Sequence, residues 1–194
     1  MTRWVVGFGA IVAAGLAGDA NASVSIAVTW EGLVSQSSAV AVLTAVESHG
    51  AWENGRIFTY TRLHVDRAVE GDMATGGEVL VRTLGGVVGE IGQRVEGEAA
   101  FDVGKPCLVF AHPGPPGAYV VTARGQGAFP VVPGAEPQAP PRVTKGASLG
   151  GLIPPAAVGA KPRLAVEMVP GRLVDDVARD VASDWTRLHA APAR

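Results

Sequence analysis

The sequence predicts a mainly β protein, a small antiparallel barrel or a closely related β domain, followed by a C-terminal amphipathic helix. Three observations favour this fold class. Two long β-rich runs flank Asn54-Gly55, several shorter β-rich runs follow between Gly and Pro residues, and apolar residues recur at helical spacing near the end of the chain. Short strands separated by turn residues are typical of barrels and sandwiches.

The strongest local signal is a hairpin over residues 39–69. Asn-Gly favours a two-residue type I′ turn, which pairs Glu53 with Arg56 and fixes the register of the two strands. That register predicts one apolar and one polar face, as in a half-buried antiparallel pair. The pairs expected on the apolar face are Trp52–Ile57, Val46–Leu63, Thr44–Val65 and Val40–Val69, and those on the polar face are His49–Tyr60, Glu47–Arg62, Ala45–His64 and Leu43–Asp66.

The other elements are shorter. The connection over residues 85–97 is dense in glycine, and structured connections of this length are often functional. Hydrophobic patterning predicts a helix over residues 29–36 and strands over residues 78–84, 107–111, 118–123 and 129–132.

The chain opens with a predicted signal peptide over residues 1–22. Arg3 precedes an apolar run that ends at Ala20-Asn21-Ala22, so the mature chain is expected to begin at Ser23. Export would place the protein in the periplasm, at the cell surface or outside the cell. The expected segments after the signal are a β domain over 23–132, a Pro/Gly-rich extension or strap over 133–162, and a C-terminal segment over 163–194.

The C-terminal segment contains a predicted helix over residues 172–189. Its apolar residues recur at helical spacing, and two acidic residues stand near its N-terminal end, where the helix dipole favours negative charge. This apolar stripe is expected to pack on the β domain. Its members are Leu173, Val177, Val181, Trp185 and Leu188.

Charge and cysteine content exclude several classes of protein. The 16 Lys and Arg residues and 18 Asp and Glu residues give a formal net charge of −2, so no strong field attracts nucleic acid or anionic lipid.

Cys107 is the one cysteine of the chain and has no intrachain disulfide partner. We expect it to be a small buried apolar residue.

One catalytic motif stands out, although its surroundings argue against it. Residues 146–150 match the G-x-S-x-G pattern of α/β-hydrolases, which makes Ser148 a candidate nucleophile. That motif needs a preceding buried strand and a following helix, whereas Pro and Gly flank it on both sides here. For this reason a secreted serine hydrolase is the alternative function and not the favoured one. No metal-ligand spacing or nucleotide-binding motif is present, so neither a metal nor a cofactor is predicted.

The sequence favours a non-enzymatic binding module that contacts protein. The polar hairpin face combines rings and cations, and the glycine-dense connection exposes backbone free of bulky side chains. A solvated sheet face and glycines needed only for packing are the structural alternatives. The predicted binding residues are His49, Tyr60, Arg62, Gly85, Gly86, Gly89, Gly92 and Arg94.

Several segments resemble a family of uncharacterised exported bacterial proteins. The resemblance spans roughly residues 30–132. It includes Gly55-Arg56-Ile57-Phe58-Thr59-Tyr60, the glycine-dense connection and Gly125-Gln126-Gly127-Ala128-Phe129. It implies the same fold and an exported location, and it implies no activity.

The succession of strand, Glu-Gly turn and strand also resembles the OB-fold barrel of netrin-like domains, which include tissue inhibitors of metalloproteinases. Those inhibitors chelate the protease zinc through the amine and carbonyl of an N-terminal cysteine. Here Ser23 and Ser25 stand where cysteines would be expected. Metalloprotease inhibition is thus a further alternative that rests on fold analogy.

Overall fold

The computed structural model describes residues 24–136, 138–146, 149–156 and 160–190. The predicted signal peptide, Ser23 and Ser148 lie outside these residues. The described strands are β1 (Val24–Ile26), β2 (Ala39–Glu53), β3 (Arg56–Gly71), β4 (Glu78–Leu84), β5 (Gly86–Val88), β6 (Ile91–Gln93), β7 (Pro106–Pro113), β8 (Tyr119–Val121), β9 (Ala128–Val132), β10 (Arg142–Val143) and β11 (Gly151–Ile153). The helices are α1 (Trp30–Ser35), α2 (Ala165–Met168) and α3 (Val174–His189), with a 3-10 turn at Arg124–Gly127.

Five strands close into a ring. Their order is β7, β2, β3, β4 and β8, and β8 pairs again with β7. Every pair in the ring is antiparallel except β4–β8, which is parallel and joins Val81 to Tyr119. The sheet continues outward from β7 through β9 to β10. The prediction of a mainly β fold with a C-terminal helix is confirmed.

The predicted turn and the outer part of the hairpin are confirmed. Asn54 and Gly55 have φ angles of 49° and 77°, the positive values that a type I′ turn requires. The predicted register holds from Glu53↔Arg56 inward to Glu47↔Arg62. The residues on the outer half of the hairpin therefore alternate between its two faces as predicted.

The predicted register is wrong beyond Val46. A β-bulge leaves this residue without a partner and exposed, so Ala45 pairs with Leu63 and Leu43 pairs with Val65. The bulge carries Ala45 and Leu43 to the inner face, where they are buried with their partners, and this burial favours the shift. Further irregularities pair Val40 with Glu70 rather than with Val69.

The remaining strands agree closely with the sequence prediction. The predicted strand over 78–84 matches β4, β7 extends the predicted 107–111, and β8 is shorter than the predicted 118–123. The predicted helix over 29–36 is α1, which begins after Thr29. The Thr29 hydroxyl accepts a hydrogen bond from the Gly32 N–H and so caps the helix.

The apolar core has two layers that share the β2–β7 wall. Inside the ring, alternate residues of the strands pack together, among them Leu43, Leu63, Val65, Val81 and Val109. The opposite face of the wall packs against the helices. That second layer contains Val40, Leu108, Phe110 and Phe129 from the sheet, Trp30 and Leu33 from α1, and Val177 and Val181 from α3.

The C-terminal helix packs as predicted. Val177 and Val181 are fully buried in the second layer, and Trp185 and Leu188 are partly buried against it. Arg67 of β3 also forms an ion pair with Asp175 in the first turn of α3. The helix therefore covers the wall of the ring that faces away from the inner core.

The described parts of the predicted extension pair with the β domain. Strand β10 adds to β9, and β11 pairs in parallel with β1, beginning at Val24↔Gly151. These contacts favour a strap that lies on the domain over the residues described. Within the described ranges, no helix is both long and apolar enough to cross a membrane.

Candidate functional site

Two of the predicted binding residues form an aromatic pair on the outer face of the hairpin. His49 and Tyr60 are cross-strand partners, and their rings stack with centroids 5.6 Å apart. The Tyr60 hydroxyl donates a hydrogen bond to Glu53, which raises the pKa of Tyr60 and lowers the pKa of Glu53. His49 is exposed, so this pair presents a ring surface beside a carboxylate.

Arg62 is the third predicted binding residue on the outer face, and two carboxylates balance its positive charge. Its guanidinium contacts Glu47 at 3.0 Å and Glu78 at 2.8 Å, so three strands contribute to one row of charges. The hydrogen bond and the positive charge of Arg62 lower the pKa of Glu47. Because two carboxylates occupy Arg62, it is a poor site for an additional anion.

Arg82 belongs to the same face and was missed by sequence reasoning. Its guanidinium carbon lies 3.4 Å from the centre of the Phe58 ring, and one nitrogen donates to Glu53. The side chain is well covered, and its Nε has no hydrogen-bond partner among the described residues. Arg82 pairs directly with Tyr60. Extending the hairpin register onto the next strand would have identified it.

The glycine-dense connection folds into a small hairpin of β5 and β6. Gly89 lies in its turn, and Gly92 pairs with Val87 across it. Arg94 follows β6, is exposed, and lies 3.6 Å from a carboxylate oxygen of Glu96. Gly85, Gly86 and Arg94 line the same cavity, so the structure brings these three predicted residues together.

Gly86 allows a close contact that another residue would prevent. Its φ angle is 131°, and a Cβ placed on it would lie 2.0 Å from the hydroxyl oxygen of Thr59. Thr59 in turn donates a hydrogen bond to the Gly85 carbonyl. This glycine therefore has a packing role, whatever its role in binding.

The two predicted binding regions lie on opposite faces of the β2–β3 hairpin. Side chains alternate along a strand, so Thr59 points away from Tyr60, and the backbone of the β5–β6 hairpin contacts the Thr59 side. The Gln93 side chain accepts a hydrogen bond from the Ile57 N–H, which fixes the small hairpin against the large one. The regions are neighbours, but they do not form a single surface.

Apolar side chains are exposed where the two hairpins meet. Trp52 near the tip of β2 is 49% exposed, and Val87 and Ile91 of the small hairpin are 64% and 56% exposed. The two hairpins come together at Gly50, whose backbone lies against the carbonyl of Val87. Large apolar groups that remain in water beside one another are typical of interaction sites.

One side of β2 is open at this same end. Strand β7 pairs with β2 from Ala39 to Thr44, and the Gly104 N–H then reaches the Ala45 carbonyl. Among the described residues, no strand pairs with this side of β2 from Val46 to Glu53. An unpaired edge of this length can accept a further strand.

The hairpin geometry determines which backbone groups point to the open side. The residues that flank a two-residue turn exchange both of their hydrogen bonds, and bonded pairs then alternate along the strands. The N–H and C=O groups of Trp52, Gly50 and Ser48 therefore point away from β3. Ile57, the partner of Trp52, agrees with this pattern. Its N–H donates to the Gln93 side chain and its carbonyl accepts from the Gly85 N–H, both on the side away from β2.

Other predicted chemistry receives no support from the described residues. Ser148 and Ser23 lie outside them, so the hydrolase and protease-inhibitor alternatives stay predictions. Cys107 is buried, as predicted. His112 contacts the Thr122 hydroxyl. In the described ranges, no three His, Cys, Asp or Glu side chains form a group that suits a metal ion.

Comparison of the chain with protein-family models, with curated proteins and with solved structures found no match.

Proposed function

We propose that this protein is an exported, non-enzymatic binding module that receives an extended segment of a partner protein on the open side of β2. The observation that carries the proposal is the unpaired edge around Ser48, Gly50 and Trp52, which lies beside exposed apolar side chains. A segment that adds as a strand gains its affinity from main-chain hydrogen bonds and its specificity from alternate side chains.

The surroundings of the edge define the chemistry of the partner segment. On the inner side, Trp52 and Val87 offer apolar contacts. On the outer side, Glu47 borders the edge with a side chain that is 62% exposed, and Glu47 and Glu78 together outweigh the single positive charge of Arg62. An added strand that alternates apolar and basic side chains complements both sides. A segment that alternates apolar and acidic side chains would place like charges together.

The OB-like interpretation of the ring is part of the proposal. Numbered in chain order, the five ring strands close as 1-2-3-5-4-1, and the one parallel pair joins strands 3 and 5. This order supports a barrel of the OB type. Such barrels commonly bind ligands near the loop between strands 1 and 2, which corresponds to the Asn54-Gly55 turn. The ligand itself is argued from the edge, since fold does not determine function.

Export is supported by the pattern of residues 1–22. It is tested by expressing the full chain in a bacterium and determining the N-terminus of the protein recovered outside the cytoplasm. A chain that begins at Ser23 supports the proposal, and an unprocessed chain confined to the cytoplasm contradicts it.

Binding is tested with two panels of short synthetic peptides. One panel alternates Lys or Arg with Val or Ile, and the other replaces the basic residues with Glu. Fluorescence anisotropy should detect binding of the basic panel and little binding of the acidic one. No binding from either panel, or equal binding from both, would contradict the proposal.

Two variants at Ser48 test whether the peptide pairs with the edge of β2 or adheres to the surface without pairing. Ser48→Pro removes an N–H that points to the open side and leaves the β2–β3 hydrogen bonds in place. Ser48→Val keeps the N–H and serves as the matched control. The proposal expects binding to be lost in Ser48→Pro and kept in Ser48→Val. The same peptide with N-methylated alternate amides should also fail to bind, which tests the pairing on the wild-type chain.

A further inference from the structure

A cavity of about 420 Å3 lies between the inner face of β3–β4 and the segment that follows β6. Three threonines line it from the strands: Thr59 and Thr83 are cross-strand partners, and Thr61 lies two positions further along β3. The rest of its lining is Leu84, Gly85, Gly86, Gln93, Arg94, Val95, Glu98, Ala99, Ala100 and Phe101. None of the residues on the open side of β2 takes part.

Two of the three threonine hydroxyls have no hydrogen-bond partner among the described residues. Thr59 donates to the Gly85 carbonyl at 2.7 Å, whereas the hydroxyls of Thr61 and Thr83 bond to no described residue. These residues are only 2% and 6% exposed.

The free hydroxyls open into the cavity. Among the described residues, Arg82 Nε is the one side-chain nitrogen or oxygen that is both sealed from solvent and unpartnered. The Thr61 and Thr83 oxygens are therefore not sealed, and the space they reach is the cavity that both residues line. Each hydroxyl can donate one hydrogen bond and accept others.

The charges around the cavity are paired within the protein. Glu98 forms an ion pair with Arg124 at 3.1 Å, and Arg94 lies close to Glu96. The walls also carry apolar groups, of which Phe101 is the largest. A ligand that fits this lining is neutral, offers hydroxyl groups to the two threonines, and has an apolar face for the walls.

We propose that this cavity binds a neutral sugar of about one ring, either as a free monosaccharide or as the terminal unit of a glycan. A sugar ring combines hydroxyl groups that donate and accept hydrogen bonds with apolar C–H faces. The cavity volume lies in the range of small-molecule sites. This inference is independent of strand addition to β2, because the two sites share no residue.

The test is isothermal titration calorimetry of the purified full chain with a panel of neutral monosaccharides and their methyl glycosides. Thr61→Val and Thr83→Val keep the side-chain shape and remove one free hydroxyl each. Each variant should weaken sugar binding roughly three- to tenfold. Neither should lower the resistance of the protein to urea, because the hydroxyl that is removed bonds to none of the residues that the structure describes.

Two further variants control the test. Thr44→Val removes a hydroxyl that bonds to Asp66 away from the cavity, so sugar affinity should not change. Ala100→Phe adds a ring at an exposed position of the lining and should abolish binding without unfolding the protein. Binding of methyl glycosides as well as free sugars identifies a glycan terminus, and binding of free sugars alone identifies a reducing sugar. No heat from any sugar, or binding that both valine variants retain in full, would overturn the proposal.

Discussion

Gly50 lies directly against the main chain of Val87. A Cβ placed on Gly50 would lie 2.2 Å from the Val87 carbonyl oxygen, closer than any real side chain approaches. This contact holds the β5–β6 hairpin beside the open side of β2. The exposed apolar groups that we assign to partner binding depend on that position.

Gly50→Ala should displace the small hairpin. The added methyl overlaps a carbonyl of the main chain, so the backbone must move, and we expect a loss of about 1–3 kcal/mol in the free energy of unfolding. Urea denaturation followed by tryptophan fluorescence measures this loss. Binding of the basic peptides should weaken in the same variant.

Gly92→Ala is the matched control for this prediction. Its Cβ would make ordinary contacts at 3.8 Å with a Val87 methyl. We expect a change within about 0.5 kcal/mol, as for surface substitutions in general. Equal stability losses in both variants would show that the Gly50 contact has no special role.

Asp184→Ala should destabilise the protein through Trp30. The indole N–H of this fully buried tryptophan donates to Asp184 at 2.7 Å and ties α1 to α3. Removing the carboxylate leaves a buried donor without a partner, which should lower the free energy of unfolding by about 1–3 kcal/mol. Asp176→Ala is the control, because Asp176 forms the same kind of i,i+3 pair with Arg179 on the surface. The control should lose no more than about 0.5 kcal/mol.

The contribution of Asp184 should also depend on pH. Hydrogen bonds from Arg187 and Trp30 hold its pKa below the ordinary value of 3.8. A carboxyl group whose pKa is lowered by folding stabilises the fold above its unfolded pKa, and this stabilisation is lost as the pH falls through the folded pKa. The stability difference between wild type and Asp184→Asn should therefore be largest near neutral pH and shrink below 3.8. A difference that grows in acid would contradict this account.

Cys107 should resist thiol reagents in the folded protein. Burial raises its pKa to about 12 from the ordinary value of 9.0, so the reactive thiolate is roughly a thousandfold scarcer at mildly alkaline pH. Labelling with Ellman's reagent should be slow in buffer and fast in denaturant. Rapid labelling of the native chain would show that this cysteine is accessible.

Much of the fold could be predicted from local patterns. Asn54-Gly55 set the turn, and the register counted from it was correct as far as Glu47↔Arg62. The bulge at Val46 could not be predicted, because it satisfies the burial of Leu43 and Ala45 against strands that are distant in the sequence. Local turn chemistry fixes a register only until tertiary packing overrides it.

The candidate sites could be predicted less completely. Sequence reasoning selected the polar hairpin face and the glycine-dense connection. The open side of β2 depends on where β7 ends, and the cavity depends on the pairing of Thr59 with Thr83. These are long-range relationships, and no local motif carries a signal for them.

Hydrogen exchange at the edge of β2 tests the central claim most directly. In the free protein, the amides of Ser48, Gly50 and Trp52 should exchange quickly, whereas those of His49 and Ala51 should be protected by their bonds to β3. Addition of a basic peptide that binds should protect the first three and leave the other two unchanged. Peptide binding without new protection at Ser48, Gly50 and Trp52 would contradict the claim.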